Sequence, residues 1–125
     1  MIVGIGLDLV ELSRVRRSLE RWEDRLIRKL MDEDEARRLP SDVDGRARAV
    51  AAAIALKEAA SKALATGWSH GVSWRQVIAD PGPPAAVRLT GRAAEVATAR
   101  GARGTPSAWL DAGPELVLAE VWLQR

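Results

Sequence analysis

Two residues on a strongly helix-forming stretch have side chains that could do chemistry, one a carboxylate and the other an ammonium. Glu58 and Lys62 lie four residues apart within the segment 55–67, so they share one face of the predicted helix. Lysine is rare in this chain: only three of its 19 basic residues are lysines, and Lys57 and Lys62 are two of them. A compact ammonium in a sequence that otherwise uses arginine is typical of a phosphate site. For this stretch alone, a solvated Glu–Lys pair on the helix surface is the simpler alternative.

A third candidate, Asp8, lies in an N-terminal segment that alternates like a β-strand. One face of this strand, residues 2–10, is wholly apolar and is predicted to face the core: Val3, Ile5, Leu7 and Leu9. The other face carries Gly4, Gly6 and Asp8, and the two glycines leave space for another group to approach the backbone. Asp8 therefore has two interpretations. It caps the following helix together with Glu11, or it ligates a metal at the end of the strand.

The segment 12–30 is predicted to form an amphipathic helix, with a break near Trp22. Its apolar residues recur at helical spacing: Leu12, Val15, Leu19, Trp22, Leu26 and Leu30. Arginines follow the opposite face: Arg14, Arg17, Arg21, Arg25 and Arg28. This face is either an ordinary solvated surface or a docking surface for an acidic partner. The small number of aromatic residues and a net charge of only +2 argue against nucleic-acid binding.

Length and composition limit the classes of protein to consider. With 125 residues, 47% of them hydrophobic, the chain is expected to form one folded domain over residues 1–125. It has no cysteine, which excludes disulfides and thiolate zinc sites and fits a cytoplasmic protein. We expect no signal peptide and no membrane association, since no apolar run reaches the ~18 residues of a membrane span. The single histidine, His70, falls in a predicted loop and is interpreted as an ordinary surface residue.

The remaining pattern predicts a single α+β domain with mostly antiparallel strands around a long central helix. A short acidic helix follows the first strand and helix; it starts at Asp32 and ends before Pro40. The central helix comes next, at about 46–65, and Gly67 closes it. Later elements are predicted from alternation and turn residues: strands 74–79 and 86–89, helix 91–100, and strands 107–110 and 116–123.

The order of these motifs resembles the bacterial holo-acyl-carrier-protein synthases, which are short, trimeric phosphopantetheinyl transferases. The likeness rests on segments 1–14, 31–35, 56–67 and 82–91, and it extends through nearly the whole chain. It implies a phosphopantetheinyl transferase-like fold and a homotrimer. It also implies a reaction, the Mg²⁺-dependent transfer of phosphopantetheine from coenzyme A to a serine of an acidic acyl or peptidyl carrier protein.

The resemblance assigns roles to individual residues. It implies that Asp8 and Glu58 bind Mg²⁺ and that Glu58 and Lys62 are catalytic. It implies carrier-protein docking at Arg14, and the stripe extends this expectation to Arg17 and Arg21. Coenzyme A is expected to meet a larger set: Lys57, Lys62, Gly67, Trp109 and Asp111. Carboxylate oxygens suit Mg²⁺, and a lysine beside the metal neutralises charge that develops on a pyrophosphate.

The chain departs from the family pattern around the nucleotide. Ala53 stands where the family has an arginine, and Ala65 replaces the glycine of its Ala-Leu-Gly-Thr-Gly segment. The family's Ser-His near the C-terminus is replaced by the segment 107–111. The leading hypothesis is therefore a transferase with an altered coenzyme A pocket. One alternative is a relative that has lost transfer and uses a Trp-lined cleft for another small molecule or a loaded carrier, and another is a binding module without chemistry.

Overall fold

The computed structural model describes residues 1–125 and contains five strands and four α-helices. In chain order these are β1 (Ile2–Glu11), α1 (Leu12–Leu30), α2 (Glu33–Arg37), α3 (Val43–Ala63), β2 (Val77–Asp80), β3 (Ala86–Leu89), α4 (Gly91–Ala99), β4 (Ser107–Ala112) and β5 (Leu116–Gln124). A 3-10 turn at Trp74–Gln76 replaces the predicted beginning of the β2 strand. The predicted α+β class is confirmed. None of the helices is both long and apolar enough to cross a bilayer.

Two antiparallel sheets frame the long helix α3. The larger has the strand order β1-β5-β4, and the smaller is the β2-β3 pair. The inner face of β5 is buried against the helix, as its alternation predicts: Val117, Ala119, Val121 and Leu123. The helix itself is rich in alanine and has 12 buried residues out of 21, so it forms the centre of the core. Small side chains on α3 let the backbone of the sheet approach it closely.

From Gly4 onward, the first strand is turned over relative to the sequence-based prediction, whereas Val3 packs against the core as predicted. Gly4 and Gly6 face α3, and a Cβ atom at Gly6 would lie 1.8 Å from the Ala59 carbonyl oxygen. Ile5, Leu7 and Leu9, which were expected in the core, are instead 53%, 50% and 58% exposed. The prediction was wrong because the helix packs against the strand backbone itself, and only glycine permits that distance.

The outward face of the larger sheet is consequently apolar, and we refer to it as the outer sheet face. It includes these exposed or half-exposed side chains: Ile5, Leu7, Leu9, Trp109, Leu116 and Trp122. The strand register places Leu7, Glu120 and Trp109 in one row across the three strands, with Glu120 in the central position. Contiguous apolar surface of this kind usually marks an interaction site.

Helix α1 is kinked where the sequence predicted a break. Trp22 has non-helical backbone angles (φ −139°, ψ 39°). The kink rotates its indole out of the apolar stripe, so Trp22 is 46% exposed rather than part of the core. The Arg21 guanidinium lies 4.9 Å from the centre of the Trp22 ring. On either side of the kink, α1 is buried through Leu12, Val15, Ile27 and Leu30.

Candidate functional site

The side chain of Lys62, in the last turn of α3, reaches Asp8 on β1. The Lys62 Nζ donates a hydrogen bond to Asp8 Oδ1 at 2.9 Å and a second to the Leu7 carbonyl oxygen at 3.0 Å. The side chain of Asp8 is 17% exposed and that of Lys62 is 51% exposed. The carboxylate is therefore held in place by its surroundings, while the ammonium stays accessible to a ligand.

The glycine-mediated packing explains why these two residues meet. Gly4 lies against Ala63 and Gly6 against Ala59, so two residues of strand correspond to one turn of helix. Asp8 continues this progression by one more turn toward the N-terminus of α3, beside the turn that carries Glu58. The capping interpretation of Asp8 is wrong. Glu11 precedes α1, no side chain caps that helix, and the Leu12 N–H donates to the Glu115 carbonyl oxygen at 2.9 Å.

Glu58 lies one turn before Lys62 and is half-buried. Its carboxylate takes part in none of the seven ion pairs of the chain. Together with Asp8 it provides hard oxygen donors, and no group of three acidic or histidine side chains forms a closed metal cage. Two carboxylates, completed by waters and by the phosphates of a substrate, are the usual protein ligands of Mg²⁺. The donor set therefore fits that ion, and Lys62 already shows that Asp8 attracts a cation.

Lys57 lies outside this site, which corrects its predicted role in binding the cofactor. Its side chain is fully buried, pairs with Glu35 Oε2 at 3.0 Å, and donates to the carbonyl oxygens of Trp74, at 3.0 Å, and Val77. Burial lowers the pKa of Lys57, and the neighbouring Glu35 carboxylate opposes that shift. Lys57 and Lys62 are five residues apart and so point about 140° away from each other around the helix. Lys57 therefore faces the core and acts in the fold.

The helix end near Gly67 also differs from the prediction. The left-handed residue that closes α3 is Ala65, with φ +62°, two residues before the predicted Gly67. The Ala65 N–H donates to the Lys62 carbonyl at 2.9 Å and the Thr66 N–H to the Ser61 carbonyl at 3.3 Å, which is the Schellman arrangement. Gly67 follows with φ +55°, and no atom lies within 4 Å of the position that a Cβ atom would occupy there. It is open to a ligand, and its role in binding stays a prediction.

Trp109 and Asp111 lie on the opposite side of the sheet from Asp8. They alternate with Ala108 and Leu110, which pair with the inward-facing Val121 and Ala119 of β5. Trp109 and Asp111 therefore belong to the outer sheet face. A single chain does not bring them together with Lys62, although the sequence motifs suggested one continuous pocket.

A cavity of about 290 Å³ adjoins Ala53, and sequence reasoning did not identify its basic residue. Arg38, just after α2, lines this cavity together with Asp80 at the end of β2 and Gly82 of the β2–β3 turn. Arg38 is exposed and takes part in no ion pair. Its position depends on how the short helix α2 packs beside α3, so no periodicity in the sequence points to it. It supplies a cation next to the position where Ala53 lacks one.

The predicted arginine surface is present on α1. Arg14, Arg17 and Arg21 are exposed and have no carboxylate partner. By contrast, the neighbouring Arg16 is paired with Asp44. Hydrogen bonds from Arg16 and Arg48 hold the pKa of Asp44 below its usual value. The unpaired arginines surround a shallow depression with the exposed Trp22 at its edge. Unpaired cations beside an exposed tryptophan are the composition that protein interfaces favour at their most important contacts.

Comparison with known proteins gives consistent matches along the whole chain. Residues 4–109 match the model of the 4′-phosphopantetheinyl transferase superfamily. A holo-[acyl-carrier-protein] synthase from Alkalilimnicola ehrlichii is 42% identical over 106 residues, which cover 83% of each chain. The crystal structure of such a synthase from Neisseria meningitidis has a TM-score of 0.79 at 25% identity and covers 100% of both chains. A Helicobacter pylori synthase in complex with coenzyme A has the same fold, with a TM-score of 0.79 at 21% identity, covering 96% of this chain and 99% of that one.

Proposed function

Because the chain belongs to the 4′-phosphopantetheinyl transferase superfamily, we propose that it is a transferase of the holo-acyl-carrier-protein synthase type. It moves phosphopantetheine from coenzyme A to a serine hydroxyl of an acyl or peptidyl carrier protein. The observation that carries the proposal is the contact between Lys62 and Asp8. It joins the two segments that carry the chemistry, 54 residues apart in sequence, at one accessible position.

The chemistry requires one bond to form and one to break. The serine oxygen attacks the phosphorus that carries the pantetheine arm, and the pyrophosphate bond of coenzyme A breaks to release adenosine 3′,5′-bisphosphate. Glu58 is proposed to accept the serine proton, and the proposal is supported by a carboxylate that no other side chain engages. Lys62 is accessible and stabilises the negative charge that accumulates on the departing phosphate oxygen.

Asp8 and Glu58 would hold Mg²⁺ in this site. When bound, the ion would supply positive charge next to the phosphates and would lower the cost of bringing them against two carboxylates. Lys62 contacts Asp8 at 2.9 Å, so its ammonium would lie beside one of the two carboxylates that would hold the ion, on the same side of α3 as Glu58.

We also propose that the site is completed between copies of the chain in a homotrimer. The outer sheet face leaves Ile5, Leu7 and Leu9 each at least half exposed, which is unfavourable for an isolated domain. Trp109 and Asp111 occupy the same face. Association through this surface would bury the apolar side chains and bring the segment around Trp109 next to a neighbour's site.

The acidic carrier protein is proposed to dock on the arginine surface of α1. Arg14, Arg17 and Arg21 have no internal carboxylate partner, so their charge is available to steer an acidic helix. Replacing all three by glutamate should reduce the association rate, and added salt should reduce wild-type association in the same direction. Binding that is insensitive to both changes would exclude this surface.

The decisive experiment is mass spectrometry of an apo carrier protein incubated with this protein, coenzyme A and Mg²⁺. The expected result is an increase in mass by one phosphopantetheine group, which is lost in Glu58→Gln and Lys62→Met. Arg75→Gln is a matched control because Arg75 is an exposed residue of the 3-10 turn, outside the site. If the wild type transfers nothing at saturating coenzyme A, this proposal is replaced by the alternative of a relative that has lost transfer and binds another molecule.

A further inference from the structure

The part of the chain from Pro81 to Leu110 is strongly basic. This stretch contains four arginines and one acidic residue, Glu95. Arg92 pairs weakly with Glu95 at 3.9 Å, and Arg100 donates to the Val3 carbonyl oxygen at 3.1 Å. The guanidinium groups of the other two, Arg88 and Arg103, make no hydrogen bond or ion pair in the chain. They are two unpaired cations in a region with almost no negative charge.

Arg88 and Arg103 line the same cavity. It has a volume of about 230 Å³ and lies between β3, the end of α4, the loop 100–106 and the end of β5. Thr98 and Thr105 bring hydroxyl groups to its wall, and Leu123 contributes to its apolar floor. The two cations therefore border a concave volume rather than a flat surface, which strengthens their field at that point.

The loop beside this cavity offers further hydrogen-bond donors. Gly104 has φ +72° and nothing within 4 Å of a Cβ position, so its backbone is open to a ligand. The N–H groups of Gly104 and Thr105 donate no hydrogen bond to another backbone group, whereas the neighbouring Arg103 N–H donates to the Gln124 carbonyl at 2.7 Å. Two guanidinium groups, two hydroxyls and two free N–H groups form a set rich in donors, as a tetrahedral oxyanion requires.

We propose that this cavity binds a phosphate group, either as free phosphate or as the monoester of a small organic molecule. Its volume is below the ~300 Å³ of common small-molecule pockets, so it accommodates an anionic group and a few attached atoms. Arg88 and Arg103 provide the paired, fork-like contacts that phosphate oxygens favour. Leu123 pairs with Gly4, and Asp8 lies about 13 Å further along the strand. The cavity is therefore separate from the Asp8–Lys62 site.

The test is calorimetric titration of the full chain with inorganic phosphate and, in parallel, with ribose 5-phosphate and acetate. It is done in the Lys62→Met background, so that binding at the Asp8–Lys62 site does not contribute. This choice also keeps the result independent of whether the protein is a transferase. We expect saturable binding of at least one phosphate compound and much weaker binding of acetate. Tighter binding of ribose 5-phosphate would identify an ester as the ligand, and tighter binding of inorganic phosphate would identify the free ion.

The variants Arg88→Gln and Arg103→Gln should each weaken phosphate binding about tenfold to a hundredfold, the usual effect of removing a charge-assisted contact. Arg92→Gln is the matched control, because Arg92 lies on the same basic segment but outside the cavity. It should change the affinity less than about threefold, the order expected for screened surface charge. Equal weakening by all three variants, binding that does not saturate, or acetate binding as tight as phosphate would each overturn the proposal.

Discussion

Replacing Lys57 should destabilise the fold far more than replacing Lys62, although the two lysines lie on the same helix. Lys57→Met keeps most of the volume of the side chain but removes its charge. Glu35 would then stay buried with hydrogen bonds only from the backbone N–H groups of Asp32, at 3.1 Å, and Ala79, at 3.0 Å. Breaking a buried ion pair in this way costs about 3–5 kcal/mol. This is a large part of the roughly 5–15 kcal/mol by which a domain is stable.

Lys62→Met is the matched control. Lys62 is half exposed, so solvent screens its ion pair with Asp8. The variant should therefore lower the free energy of unfolding by less than about 1 kcal/mol. Urea denaturation followed by circular dichroism measures both variants, and the double variant Glu35→Gln, Lys57→Met should recover part of the loss because no buried charge remains. If the free energy of unfolding of Lys57→Met lies within about 1 kcal/mol of the wild-type value, the buried ion pair does not stabilise the fold to the extent that its burial implies.

The same variant tests a pH dependence. Burial lowers the pKa of Lys57 in the folded state, so between that value and the ordinary lysine value the unfolded chain binds more protons. The free energy of unfolding should therefore gain a positive contribution from Lys57 as pH rises through this window. Comparison of the denaturation midpoint of wild type and Lys57→Met at several alkaline pH values isolates that contribution. A difference that is constant with pH would contradict the lowered pKa.

Three further predictions concern the backbone and the assembly. Ala65→Gly should stabilise the protein by about 1 kcal/mol, because it removes an alanine from the left-handed conformation. Gly67→Ala should destabilise the protein by a similar amount, because it places an alanine in that conformation. An unchanged melting temperature in both variants would show that the backbone is not strained at these positions. Gly6→Ala should prevent folding, since its Cβ would lie 1.8 Å from a carbonyl oxygen of α3, and a native circular dichroism spectrum would contradict this packing. Leu7→Lys on the outer sheet face should yield monomers by light scattering if that face joins the chains, whereas unchanged mass would move the interface elsewhere.

The departures from the family pattern have a structural interpretation. Ala53 lacks the expected cation, but Arg38 lines the cavity beside it. A basic residue is thus available to that cavity from α2 instead of α3. Asp111 and Trp109 lie on the outer sheet face, so their effect on coenzyme A depends on how chains associate. Affinity for coenzyme A in Arg38→Gln would show whether this arginine substitutes for the missing one.

Local sequence patterns were enough to predict most of the helices and strands and to identify candidate site residues. Residue spacing set the boundaries of α4 and β3 closely, and the acidic residues that begin with Asp32 marked the start of α2. The class of reaction came from the resemblance of the motifs around Asp8 and Lys62 to a known family, and the roles of these two residues stay predictions. The helices and strands were predictable because they depend on interactions between residues that are near each other in the chain.

The direction in which each face points depends instead on tertiary packing. Alternation showed that the two faces of β1 differ, but the apolar face turned outward because α3 requires the glycine face at backbone contact distance. Lys57 and Lys62 looked alike in sequence, yet one is a buried ion and the other is accessible. Burial, ion pairing and the approach of a helix to a strand depend on residues far apart in the chain. Periodicity does not encode those partners, so packing alone separated the structural lysine from the one at the candidate site.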